Sequence, residues 1–142
     1  MGEAAEVMRR KIAAINAQDA KEALAVFSPD SFKEVPGASL RGADQIVAYF
    51  SILWEAFPDG HIDVTHVVEE GSVVAIRGRS SGTHLGTLHT PGGDIPPTGR
   101  RIDLSISDLY EVAGGVIVAS YLHFDRLELL EQLGVVPAPT PA

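Results

Sequence analysis

Two apolar-alternating runs, Arg101 to Val112 and Val116 to Phe124, meet at Gly114-Gly115, and this long hairpin constrains the fold more than any other feature. Paired glycines supply the backbone angles of a two-residue turn, so the runs must lie side by side as antiparallel strands. Strands this long accumulate twist and cannot stay flat. An earlier alternating run begins at Val73 and carries Gly78, Gly82 and Gly86, where a missing side chain permits bending and close backbone approach. Ahead of it, across a turn at Gly71-Ser72, Ile62, Val64, His66 and Val68 alternate as a further strand.

The first third of the chain has helical spacing instead. Ala5, Met8, Ile12 and Ile15 share one face, while the triplet Arg9-Arg10-Lys11 suits a solvated face. Asp19-Ala-Lys-Glu22 has the form of a capping box. It predicts a second helix with Ala20, Leu24 and Phe27 inward, ending at Ser28-Pro29-Asp30, followed by a short extended piece from Phe32 to Val35. A third helix carries the broad stripe Ile46, Tyr49, Phe50, Leu53 and Phe57 and stops at Pro58. A last short helix holds Leu127, Leu130 and Leu133, with Gly134 as its C-terminal stop.

Helices followed by long antiparallel strands predict an α+β domain: helices packed on a strongly curved, mostly antiparallel sheet, forming a cone with a cavity inside. The domain is expected over residues 1–136, with a disordered tail at 137–142. A hydrophobic fraction of 45% over 142 residues is enough for one core. The formal net charge of −8 argues against nucleic acid, which needs a basic patch. No apolar run is long enough for a membrane span and no signal-peptide segment opens the sequence, so a cytoplasmic location is the default expectation. Cysteine is absent, and His61, His66 and His89 have no metal-site spacing, so no metal is expected.

Strand parity nominates the cavity wall. Ile102, Leu104, Ile106, Asp108 and Tyr110 share a face, and Asp108 is the one charge in an apolar row. A buried charge needs a partner, a proton or a function. On the next strand Ile117, Ala119, Tyr121, His123 and Asp125 are taken as inward, and on the earlier one Val74, Ile76, Gly78, Ser80, Gly82 and His84. Tyr49, Phe50 and Trp54 of the third helix supply another wall. The proline- and glycine-rich stretch from Leu85 to Gly99, carrying His89 and Asp94, is long enough to act as a lid.

Gly82-Thr-His84-Leu-Gly86, Ile95-Pro-Pro-Thr-Gly-Arg100, Asp108, Phe124-Asp125 and Leu130-Glu-Gln-Leu-Gly134 together resemble the SnoaL-like polyketide cyclases, over roughly residues 3 to 137. These belong to the superfamily of nuclear transport factor and ketosteroid isomerase. The resemblance implies a cone-shaped α+β barrel and closure of a polyketide ring by intramolecular aldol condensation, with one aspartate as acid/base and no cofactor. Asp125 matches that aspartate's position, with Asp108 and His123 as helpers and His84, Ile106, Tyr121, Tyr49, Phe50 and Trp54 as substrate contacts. The same residues allow other outcomes. Asp125-Arg-Leu-Glu128 is itself a capping box, in which the carboxylate only starts the last helix. The pocket would also suit an ester-cyclase-like enzyme, a hydrolase or isomerase of a small apolar molecule, or a module that binds a ligand or dimerises without chemistry. The expected partners are a small apolar organic substrate and a second copy of the chain, paired through Val118, Leu122 and Phe124.

Overall fold

The computed structural model describes residues 2–137, so most of the expected tail lies outside the described residues. Helices α1 (Glu3–Asn16) and α2 (Ala20–Val26) open the chain, strands β1 (Phe27–Val35) and β2 (Ala38–Arg41) follow, and α3 spans Ala43–Ala56. Then come β3 (His61–Glu70), β4 (Val73–Thr83), the short pair β5 (Leu88–Thr90) and β6 (Gly93–Ile95), β7 (Arg101–Ala113), β8 (Val116–His123) and α4 (Arg126–Leu133). The main sheet has the order β2-β1-β8-β7-β4-β3, antiparallel except for the parallel contact of β1 with β8. The expected α+β class and curved sheet are therefore what the chain adopts. The core forms where α1, α2 and α3 lie on one face of the sheet, burying Met8, Ile46, Val74, Tyr110 and Ile117.

The helix α1 has no side-chain cap of its own. Glu69 at the end of β3 supplies one from across the fold, accepting the Gly2 and Ala5 N–H groups at 2.6 and 2.7 Å. Those two bonds favour the ionised carboxyl and hold Glu69 below the usual range. Asp19 caps α2 as the capping box predicts, accepting the Glu22 N–H at 3.1 Å. That helix ends one residue early, however. Leu24 is exposed, and Ala23 and Val26 face inward. Phe27 begins β1, which runs through Pro29 across an irregular register and is longer than the Phe32–Val35 piece expected.

Two β-bulges reset strand parity, because an extra residue on one strand turns every later side chain to the other face. On β3 the pairing passes from Val64 opposite Gly78 to His66 opposite Arg77. Val67 thereby packs on the core, whereas His66 and Val68 are exposed. Gly78 takes part in this bend: a Cβ there would collide with the Asp63 carbonyl oxygen. On β8 the pairing passes from Ala119 opposite Glu111 to Ile117 opposite Val112, leaving Val118 as the extra residue.

The segment from Leu85 to Gly99 does not lie over the cavity as a lid. It folds into the β5–β6 hairpin, whose Leu88 is buried with Ala56, Phe57, Ile102, Leu104 and Leu133. His89 fastens it to α3, its ring nitrogens 2.9 Å from Asp94 Oδ1 and 2.8 Å from Glu55 Oε2. Gly86 lies hard against the end of α3, where an added Cβ would run into the Glu55 carbonyl oxygen. Gly86→Ala is expected to destabilise the domain by about 2 kcal/mol through forced backbone displacement, seen as a lower urea midpoint with an unchanged slope.

Candidate functional site

Between α1, α3 and the inner face of β3, β4, β7 and β8 lies a cavity of about 110 Å³. Its walls are mainly apolar: Ile15, Phe50, Leu53, Phe57, Ile102, Leu104, Ile106, Leu122, Phe124 and Leu129. Lys11, Asn16, Tyr49, Trp54, His61, Ser80, Ser81 and Asp108 supply the polar groups. Asn16 braces one edge by bonding the Ile62 backbone in both directions, donating to its carbonyl at 3.0 Å and accepting its N–H at 2.8 Å. Exposed His61 and half-buried Ile62, Phe124 and Leu129 mark the side nearest solvent.

Asp108 is 3% exposed, on the inward row of β7 as its parity predicts. Its Oδ2 lies 3.6 Å from both Lys11 Nζ and Lys33 Nζ, and both lysines are buried. Lys11 Nζ donates to the Tyr110 hydroxyl at 3.0 Å, and Lys33 Nζ to Ser120 Oγ at 3.4 Å. The Lys11 ammonium also stands 5.0 Å from the Phe50 ring centre and 5.2 Å from that of Tyr110. Burial outweighs the attraction of Asp108 and pulls Lys11 down to about 8, with the positive charge of Lys33 acting in the same direction. Burial likewise lowers Lys33 and raises the Tyr110 and Tyr49 hydroxyls, the last two assisted by the Asp108 charge.

Two polar atoms at this site have no hydrogen-bond partner among the described residues: the acceptor Asp108 Oδ1 and the donor Trp54 Nε1, both buried. Leaving such a group unpaired costs about 1–3 kcal/mol. A cavity with apolar walls, one unsatisfied acceptor and one unsatisfied donor is suited to a small molecule that offers a proton and an oxygen.

Tyr49, Phe50, Trp54 and Ile106 line this cavity, as expected from the sequence. The expected convergence of Asp108, His123 and Asp125 does not occur. Beyond the Val118 bulge, Ser120, Leu122 and Phe124 face inward, opposite the inner row of β7. Tyr121, His123 and Asp125 are turned the other way, and His123 lies in a shallow outer groove beside Glu34, Pro36 and Ser39. Tyr121 instead stands beside Phe32, ring centres 5.9 Å apart. The same shift removes the expected pairing patch, because Leu122 and Phe124 line the cavity and only Val118 of the three is exposed.

Asp125 is the N-cap of α4, its Oδ1 accepting the Glu128 N–H at 3.1 Å. Asp125→Ala is expected to cost about 1 kcal/mol, while Asp125→Asn, which keeps the cap, should be nearly neutral in a melting curve. His84 is buried but is not part of the cavity wall. Its Nδ1 accepts the Thr98 N–H at 3.1 Å, and its backbone bonds to Gly99 and Arg100, so it ties the approach to β7 onto the end of β4. Burial lowers its basicity.

Sequence reasoning missed the two lysines. Lys11 follows Met8 by three residues and precedes Ile15 by four, which puts it on the apolar face of α1, whereas the basic triplet had pointed to solvent. Lys33 alternates in step with buried Ser31 and Val35. A charge in phase with an apolar row was the signal that singled out Asp108, and it applies to Lys11.

The SnoaL-like polyketide cyclase model matches residues 5–133, and the chain belongs to that family. No curated protein matches it by sequence. Among solved structures it is similar to AclR of Streptomyces galilaeus, a proposed hydroxylase, at 25% identity and a TM-score of 0.82, covering 97% of this chain and 85% of that one. It is also similar to IdmH of Streptomyces antibioticus, a proposed polyketide cyclase, at 24% identity and a TM-score of 0.78, covering 94% and 99%. A protein of Catenulispora acidiphila with a ketosteroid isomerase-like fold is similar at 19% identity and a TM-score of 0.77, covering 96% and 98%.

Proposed function

We propose that this chain is a cofactor-independent cyclase-type enzyme in which Asp108 moves a proton on a small, enolisable carbonyl compound held in the apolar cavity. The observation that carries this reading is the unpaired Asp108 Oδ1, buried in a wall where every other acidic group is absent. The carboxylate takes a proton from the carbon next to a carbonyl, and the electron pair moves onto the carbonyl oxygen. Trp54 Nε1–H and the Lys11 ammonium are the donors at the cavity that suit that oxygen. The enolate carbon then attacks a second carbonyl of the same molecule, and the proton held by Asp108 passes to the new alkoxide. Confinement supplies much of the rate, since a ring closes fastest when its two ends are held in contact. Asp125 remains the start of α4 in this reading.

Proton exchange tests it without the natural substrate. Acetophenone in heavy water exchanges its methyl protons slowly, and the wild-type protein should accelerate that exchange. Asp125→Asn should retain the acceleration and Asp108→Asn should lose it. Equal exchange in the Asp108→Asn protein would remove Asp108 from the chemistry.

A further inference from the structure

The chain has three lysines, and two of them are buried around one carboxylate. One aspartate balances one ammonium. With both lysines charged, the cluster would hold a net positive charge in an apolar interior, and losing one proton relieves it. The two lysines are not equivalent. Lys33 points its ammonium at Ser120 and takes no part in the cavity wall, whereas Lys11 is part of that wall. Each lysine's charge opposes the other's, and burial opposes both. An amine that is uncharged for part of the time therefore belongs to a residue of the cavity wall, with a carboxylate and a phenol beside it. Desolvation and a neighbouring cation are the two devices that turn lysine into a nucleophile.

We propose that Lys11 is a second catalytic group of this cavity, an amine that condenses with a ketone or aldehyde carbonyl of the bound substrate to form an imine. The proposal rests on the reading of Asp108 as proton carrier and adds a covalent route to it. The Lys11 lone pair forms the carbon–nitrogen bond while the carbonyl π pair moves to oxygen. A proton passes from nitrogen to that oxygen by way of Asp108 or Tyr110. The nitrogen lone pair then re-forms a double bond while Asp108, holding the proton that the Lys11 ammonium gave up before attack, protonates the hydroxyl, which leaves as water. Asp108 takes the neighbouring carbon-bound proton and the iminium becomes an enamine, whose carbon attacks the second carbonyl while the proton on Asp108 passes to the new alkoxide. Water returns to hydrolyse the product iminium and frees Lys11, so no oxidant or reductant is consumed. The Phe50 and Tyr110 rings, 5.0 and 5.2 Å from the Lys11 nitrogen, would stabilise the cationic iminium as they do the ammonium.

Acetylacetone is the probe, because its adduct with an amine is a conjugated enaminone that absorbs in the near ultraviolet and survives mass spectrometry. The full-length protein should gain the mass of one diketone less one water, on the peptide that carries Lys11, ahead of exposed Lys21 and the N-terminal amine. K11R, which keeps a charge but cannot condense, should show no such adduct. No adduct, an adduct confined to Lys21, Lys33 or the N-terminus, or modification of Lys11 no faster than Lys21 would each overturn the proposal. The trapping result is read on the wild-type protein and does not depend on how well K11R folds. The acetophenone exchange separates the two readings: exchange without an adduct leaves Asp108 standing and removes Lys11, whereas an adduct without exchange does the reverse.

Discussion

Asp108→Asn is expected to reduce turnover by about 10²- to 10⁴-fold, the range for losing a placed acid/base group, and to destabilise the fold at the same time. Asparagine keeps the shape and removes the charge, so Lys11 and Lys33 are left facing each other in the interior. Stripping one partner from a buried ion cluster costs about 3–5 kcal/mol. The two losses can be told apart by a second change. Asp108→Asn combined with Lys33→Met removes the surplus ammonium and should recover much of the melting temperature while leaving turnover at the low level. Recovery of both would mean that Asp108 acts only through stability and that the chemistry lies elsewhere. The measurements are a denaturation curve and the exchange rate on the same four proteins: wild type, each single variant and the double.

The second large effect is that this protein becomes more stable on moving from neutral to moderately alkaline solution. Lys11 is held at about 8 in the fold against an ordinary value of 10.5. Between those two values the unfolded chain binds more protons than the folded one, so stability must rise with pH across that window. The full interval is worth about 3 kcal/mol at 1.36 kcal/mol for each tenfold change. The lowered Lys33 adds in the same direction. Buried Tyr49 and Tyr110 set the upper limit. Their hydroxyls are raised above 10.0, so above that value the unfolded chain sheds protons first and stability falls again. Urea midpoints measured from pH 7 upward should therefore climb from about pH 8 and turn over near pH 10. Lys11→Met should flatten the rise. A wild-type midpoint that is level or falling between pH 8 and pH 10 would contradict the assigned burial of the lysine pair.

Much of the architecture was legible because it rests on local periodicity. The inward row of β7, the cap at Asp19, the αL residue Gly134 that ends α4, and the apolar stripe of α3 all occur where spacing put them. Asp108 was legible for the same reason: it interrupts an apolar row at a strand position that cannot face water. What failed depended on a bulge or on long-range pairing. Nothing in Val116-Ile-Val-Ala-Ser-Tyr-Leu-His123 says that Val118 drops out of the ladder. One such residue sends Tyr121, His123 and Asp125 to the wrong face of the reading. The loop from Leu85 to Gly99 looked like a lid because its internal pairing spans three residues a side, too few to register as strands. Lys33 was hidden because β1 pairs in parallel with β8, a contact between the two ends of the chain that no local pattern announces.

The single dislocation at Val118 has a consequence for how this cavity can change over generations. Below it, the two hairpin strands keep their alignment, so Ile117 stays in the core opposite Val112. Above it, whichever row is turned inward is decided by one residue. Drawing Val118 into the ladder opposite Glu111 would hold the base of the barrel and shift the upper half of β8 by one residue, placing Tyr121 instead of Leu122 opposite Asp108. A lineage could thus trade a greasy rim for an aromatic, titratable one by losing a single irregularity in the ladder, with no substitution at any residue that lines the cavity.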